Sequence, residues 1–146
     1  MPNWCENKTT FTHNDSKEIE RLKNAIENDK FFSEFFPMPT EYKGVQSPNN
    51  DKVLAKHLTK KYGYPSWYEW CIANWGVKWE ISKEDIEIFK QRNQNTLKIQ
   101  FNSAWSPPIE FYEKMDKLGF IISAKYAEPA MGIEGTYKTE TGVSQN

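Results

Sequence analysis

Thiols and imidazoles are the side chains whose spacing most readily announces chemistry, and here they are Cys5, Cys71, His13 and His57. Zinc sites gather their ligands as C-x(2–4)-C or H-x(3–5)-H, because neighbouring backbone positions must aim two ligands at one ion. Nothing of that kind occurs, so no metal site is expected. A nucleophilic cysteine needs a histidine within hydrogen-bond reach. The fold could bring such a pair together, but two reduced, part-buried thiols are the simpler expectation, and a disulfide the minor one. The seven glycines are dispersed, which removes any phosphate-cradling loop. The sequence therefore argues against an enzyme and against a bound cofactor.

Tryptophan is the unusual feature. Five of the six (Trp67, Trp70, Trp75, Trp79 and Trp105) fall within 39 residues, and each brings roughly 150–250 Å² to be buried or used. Two uses compete with simple core filling by Trp75, Trp79 and Trp105. In the first, Trp67, Tyr68 and Trp70, together with Phe35 and Met38 of the proline-broken stretch 31–39, form an exposed aromatic surface that docks a protein. In the second, Lys78 beside Trp79 marks a pocket where a purine stacks and a phosphate is neutralised. Asn3, Asn74 and Trp105 are expected to anchor strand and cap geometry.

The 146 residues carry 19 basic and 20 acidic side chains, a net charge of −1, so no global field draws in a polyanion and nucleic-acid binding would need a local patch. Lys52, Lys56, Lys60 and Lys61 line one helix face, more simply read as solvated. Apolar runs are short and mean hydropathy is −0.82, which predicts one domain without a membrane span. The N-terminal Met-Pro-Asn-Trp-Cys carries no signal-peptide pattern, so a cytoplasmic location is expected.

The elements that must position these groups follow from periodicity. Alternation predicts strands over 4–12, 77–82 (with Ile86 and Ile88 extending or re-forming it), 97–103, 120–126 and 133–137. Asp15 with Glu18 predicts a helix over 16–28, and a second helix over 51–62 stops at Gly63. Ser66 with Glu69 opens a short aromatic helix, 67–75, that Gly76 closes. Ser106-Pro107-Pro108 opens the last helix, with Ser106 as its N-cap. The order β-α-(insertion)-β-β-α-β is the ferredoxin-like, split βαβ plan: an α+β domain with helices on one face of an antiparallel sheet. It is expected to span 1–138, with an inserted aromatic helical segment at about 29–75 and a flexible polar tail at 139–146. On such a sheet Lys98, Gln100 and Asn102 would face outward and Phe101 inward, so sequence-specific RNA binding through strand aromatics is not expected.

Four strings, Met1 to Asn7, Asn74 to Trp79, Ala104 to Pro108 and Tyr126 to Gly132, resemble the YubB-like family of ferredoxin-like proteins carried on bacteriophages and plasmids. The resemblance covers residue 1 to about Tyr137. It implies the same fold, a mobile-element origin and a bacterial cytoplasm, and it carries over no catalytic residue. Together these readings point to a non-catalytic phage or plasmid accessory protein that engages a host protein, such as a defence component. The alternative is a small-molecule binder that sequesters a nucleotide signal in a Trp- and Lys-lined pocket. Neither oligomeric state nor strand order is legible.

Overall fold

The computed structural model describes residues 3–140 and the backbone of 142–145. Strand β1 (Trp4–Thr12) buries Cys5, Asn7, Thr9 and Phe11 and turns the alternate residues away, as the period of a pleat requires. Helix α1 (Ser16–Glu27) starts where the Asp15 side chain accepts the Lys17 N–H at 2.9 Å, and it buries Ile19, Leu22, Ala25 and Ile26. Helices α2 (Lys52–Tyr62) and α3 (Trp67–Trp75) follow, then a short β2 (Ile86–Ile88), β3 (Thr96–Ala104), α4 (Ile109–Lys117), β4 (Ile121–Glu128), β5 (Ile133–Lys138) and β6 (Gly142–Gln145).

The strands form one antiparallel sheet in the order β2-β3-β1-β4-β5-β6. Its first four strands have the ferredoxin-like order, since α1 and α4 each carry the chain over one intervening strand. The fold is α+β and ferredoxin-like, extended at the β4 edge by β5 and β6. The 142–145 segment, expected to be a flexible tail, instead pairs with β5 from Gly135↔Gln145 to Lys138↔Gly142. Unpaired N–H and C=O groups on an edge strand are a template for one more strand even when the added sequence is polar.

The inserted 29–75 segment contributes directly to the core. Phe31 lies at the centre of the core, with ring centroids 6.2 Å from Phe11, 5.3 Å from Phe101 and 5.2 Å from Phe111, and it stacks on Phe32 at 4.8 Å. Phe32 reaches Trp75 at 5.4 Å and Phe111 at 4.7 Å. One two-residue wedge thus joins β1, β3, α3 and α4, and edge-to-face packing adds to the area each ring buries.

Two expected elements differ. The 77–82 stretch is not a strand; Ile86 and Ile88, expected to extend or re-form it, make the short strand that pairs with β3 on the side away from β1, with Ile86 opposite Phe101. Val77 and Ile81 are buried, but Trp79, which should share their side, is 43% exposed, and the Glu80 carboxylate turns back onto the Phe32 loop. Asp29 Oδ1 accepts the Lys83 N–H at 2.8 Å and fixes the 3-10 turn Lys83–Asp85 that feeds β2. The N-cap of α4 is Pro108, not Ser106, because the Ser106 hydroxyl donates to the Gly76 carbonyl at 3.0 Å. In the Ser66 box, the hydroxyl meets the Glu69 carboxylate and not a backbone N–H.

That Ser106–Gly76 bond marks the close approach of α3 to α4. Gly76 (φ +85) closes α3, its N–H bonding the Cys71 and Ile72 carbonyls, and a Cβ there would lie 2.3 Å from a Glu110 carboxylate oxygen and 3.0 Å from the Ile109 nitrogen. Gly63 closes α2 at φ +94 with open space around it. Gly76→Ala is therefore expected to destabilise by at least about 2–3 kcal/mol and Gly63→Ala by only about 1 kcal/mol, since both meet the left-handed penalty and one also meets a wall. Urea denaturation of the two variants checks the difference.

Candidate partner-binding surface

The aromatic segment is positioned by one carboxylate. Glu80 accepts the N–H of Phe32 at 2.9 Å, of Ser33 at 2.9 Å and of Ile81 at 3.1 Å, so a loop with no helical or sheet partner still has its donors satisfied. Burial pushes the Glu80 carboxyl above the ordinary carboxylate range, and the three N–H donors pull in the opposite direction without reversing it. From this anchor the chain runs outward: the Trp75 indole N–H donates to the Phe36 carbonyl at 2.9 Å, and Cys71 Sγ lies 3.7 Å from Met38 Sδ.

Of the residues proposed to form an exposed aromatic surface, only Tyr68 is open; Trp79, assigned to the pocket or to core filling, is open as well. Trp70 is buried, 5.5 Å edge-on to Trp75, so it is core and cannot present a ring to a partner. Trp67, Phe35 and Met38 are half-buried against the core. Phe35 is held between Phe120 at 5.8 Å and the Arg21 guanidinium at 4.3 Å. Tyr68 and the equally open Ile72 share an i, i+4 face of α3. Lys78 and Trp79, expected to mark a Trp- and Lys-lined pocket, lie against each other. The Lys78 ammonium lies 4.2 Å over the Trp79 ring, which occupies that π face with the protein's own cation. No tryptophan lines any of five surface concavities at the 89–93 loop, on α1 and on the sheet, the one walled by the 89–93 loop measuring about 920 Å³.

The exposed indoles lie elsewhere. Trp4 is 47% and Trp105 45% exposed, and β1 pairs Trp4 with Ala104, the residue before Trp105. Trp105 has φ +71, and the Ser106 N–H reaches back to the Ala104 carbonyl at 2.9 Å, which makes Trp105 the centre of a positive-φ γ-turn, a rare and strained conformation. The turn is held from three sides. The Trp105 N–H donates to Asn3 at 2.8 Å, the Ser103 hydroxyl to the Ser106 carbonyl at 2.6 Å, and the Ser106 hydroxyl to Gly76. Asn7, buried beneath, donates to Ser103 Oγ at 2.9 Å and to the Cys5 carbonyl at 3.0 Å. Trp105 was expected to fill space between sheet and helix. It does the opposite, and no sequence signal distinguishes a strand-end residue with positive φ from the strand preceding it. Asn74 does hold structure, linking the Trp70 carbonyl to the Lys114 ammonium.

The groups considered for catalysis are dispersed. Burial pushes the Cys5 thiol up to about 11 and the Cys71 thiol up to about 12, which suppresses the thiolate. His13 accepts the Asp15 N–H at 2.9 Å through Nδ1 and faces the Leu118 carbonyl at 3.0 Å through Nε2, so both ring nitrogens are committed to holding the start of α1 against the end of α4. His57 is bonded to Glu41 on the outside of α2. Among the described residues no three His, Cys, Asp or Glu side chains converge as metal ligands, and no helix is long and apolar enough to cross a membrane.

Glu80→Ala leaves the N–H groups of Phe32 and Ser33 without acceptors and is expected to cost about 2–4 kcal/mol by urea denaturation. A carboxyl raised on folding makes the folded state the better proton binder, so the contribution of Glu80 is fullest below the ordinary carboxyl pKa and declines as pH rises through the folded value. Glu80→Gln should remove that part of the pH dependence. Alkylation by iodoacetamide at pH 8 should leave both cysteines of the folded protein unmodified and label both in denaturant.

No family model and no curated protein matches the chain. Among solved structures, the crystal structure of a protein api92 from Yersinia pseudotuberculosis, assigned to the family model DUF1281, superposes with a TM-score of 0.58 at 11% identity, covering 100% of this chain and 98% of that one. At that identity the likeness speaks to the fold, which the two proteins share from end to end.

Proposed function

We propose that the protein is a non-catalytic binding module that engages another protein through the indoles of Trp4 and Trp105, with Trp79 and the Tyr68–Ile72 face as further candidate contacts. The observation that carries this reading is the γ-turn at Trp105. A bulky residue at positive φ costs on the order of 1–3 kcal/mol, and such strain persists where the surrounding structure over-determines it. Here three hydrogen bonds maintain it, and the result is an indole held in water. Core packing offers no return for that expense, whereas a partner surface does, because interface cores are rich in tryptophan and tyrosine and their energy is concentrated in a few such anchors. The suppressed thiols and committed imidazole favour stoichiometric binding over catalysis.

The resemblance of the four sequence strings to YubB-like proteins supports a phage or plasmid origin, a bacterial cytoplasm as the working environment, and a host protein, such as a defence component, as the partner. A nucleotide pocket at Lys78 and Trp79 is the weaker reading, since the lysine already covers the ring.

Trp105→Gly separates the alternatives. Glycine relieves the turn but adds freedom to the unfolded chain, so stability should be unchanged or higher by about 1 kcal/mol. Affinity capture from host lysate should recover a protein with the wild type and with the control Val53→Ala, and lose it with Trp105→Gly. A loss of 2 kcal/mol or more on making Trp105→Gly would mean that the ring packs and that this reading fails.

A further inference from the structure

The pleat that hides Cys5, Asn7, Thr9 and Phe11 sends Lys8 and Thr10 to the opposite face, on which no helix packs among the described residues. Register determines what gathers there. Lys8 lies directly opposite Lys125. Lys98 is opposite Thr10, Thr10 opposite Ser123, and Ser123 opposite Lys138. With strands roughly 4.8 Å apart, Lys98, Lys8, Lys125 and Lys138 form a staggered stripe about 14 Å wide across β3, β1, β4 and β5. All four are exposed, and none takes part in the ion pairs of the described residues, which join Arg21 to Glu18 and Glu34, and Glu41 to His57 and Lys61.

The face has acids too. Glu6 and Glu134 flank Ala127 one row along and line a concavity with Lys8 and Lys125, and Glu87 lies opposite Gln100, yet among the described residues none of these acids forms an ion pair within 4.0 Å of a stripe lysine. At the Lys98 end the stripe opens into the concavity of about 920 Å³, where Lys90 and Arg92 stand on the wall and Lys98 lies 5.3 Å over Phe89. A chain of net charge −1 has therefore placed a local cationic field on one face, and it sets two lysines directly opposite each other although like charges so placed are destabilising.

The chemistry of the stripe selects its occupant. Between the lysines stand Thr10, Gln100, Ser123 and Thr136, with no aromatic ring among them. Protein interfaces deplete lysine and enrich aromatics, whereas phosphate and sugar oxygens are bound by just this mixture of ammonium, hydroxyl and amide groups. Among the described residues no helix or two-stranded ribbon projects from the face to enter a duplex groove. We propose that the open sheet face, along Lys98, Lys8, Lys125 and Lys138, is a track for the sugar–phosphate backbone of single-stranded nucleic acid, bound without regard to base. This surface is separate in chemistry from the indoles at Trp4 and Trp105, and it stands whether or not they dock a protein.

Fluorescence anisotropy with a labelled oligothymidylate of about 15 nucleotides tests it. Four phosphate contacts on a single strand give a slope of log affinity against log salt of about −3, a fall of roughly 50-fold between 50 and 200 mM salt. Lys8→Gln/Lys125→Gln should halve that slope and weaken binding about tenfold at the lower salt, with no loss of thermal stability. Lys56→Gln/Lys60→Gln on α2 changes net charge equally and should stay within about twofold of wild type. The proposal is overturned if the oligonucleotide does not bind at 50 mM salt, if the sheet variant binds as the wild type does, or if the α2 variant weakens as much. It is also overturned if polyglutamate competes as well as oligothymidylate, if a duplex binds more tightly, or if Trp4→Ala abolishes binding that the sheet variant retains.

Discussion

The period-2 geometry of β1 is the constraint on which the rest of the molecule depends. As the strand between β3 and β4 it sits at the centre of the ferredoxin-like order, and its pleat divides Cys5, Asn7, Thr9 and Phe11 from Glu6, Lys8 and Thr10. A one-residue slip would put lysine under the helices and phenylalanine in water, so the register is fixed by the energy of both faces together. The buried side is not purely apolar. The Thr9 hydroxyl meets the Tyr112 hydroxyl at 2.7 Å, and Asn7 is bonded to Ser103 and Cys5, which places polar groups with definite partners at positions where a slipped strand would leave them unsatisfied.

The Phe31–Phe32 wedge shows how a segment without regular structure becomes the centre of a core. Its rings supply the apolar area, but a loop brings backbone donors with it, and burial of those donors is tolerable only because Glu80 accepts them. That same demand explains the failure of 77–82 to form a strand. A strand would have aimed Glu80 to the side of Lys78, away from the loop. The surrounding chain instead buries Val77 and Ile81 as irregular structure and leaves Trp79 outside.

Helices and four of the sheet strands were legible because their signals are local. Asp15, Asp51, Gly63 and Gly76 sit at helix ends in the roles their chemistry suits, and alternation in β1 and β3 is undisturbed. Boundaries within 77–108 were less legible, since Glu80 and Ser106 spend their polar groups on partners 48 and 30 residues away. The candidate surface was legible as a composition and not as a map. Aromatic excess around α3 is plain in the sequence, but Trp67, Trp70 and Trp75 are drawn inward to different degrees by α4 and the 31–38 loop. The open indoles at Trp4 and Trp105 are made neighbours by strand pairing across 100 positions. The lysine stripe is less visible still, because each lysine reads alone as an ordinary outward residue and only the strand order brings the four together.

Three features run against local preference: a tryptophan at positive φ, indoles left in water, and lysines set directly opposite one another. They do not belong to a generally imperfect fold, for among the described residues no buried side-chain nitrogen or oxygen lacks a hydrogen-bond partner. Apart from the exposed Trp79 in the 77–82 stretch, these groups lie on the surface and on β1 or the strands and turn that pair with it. Natural sequences are locally consistent except where function sets a competing demand. A rigid central strand can hold unfavourable groups in place without unfolding, and it presents them at fixed spacing to whatever approaches. The costs concentrated around β1 are the observations on which both proposals rest, an aromatic contact at the Trp4 end and a cationic one across the open face.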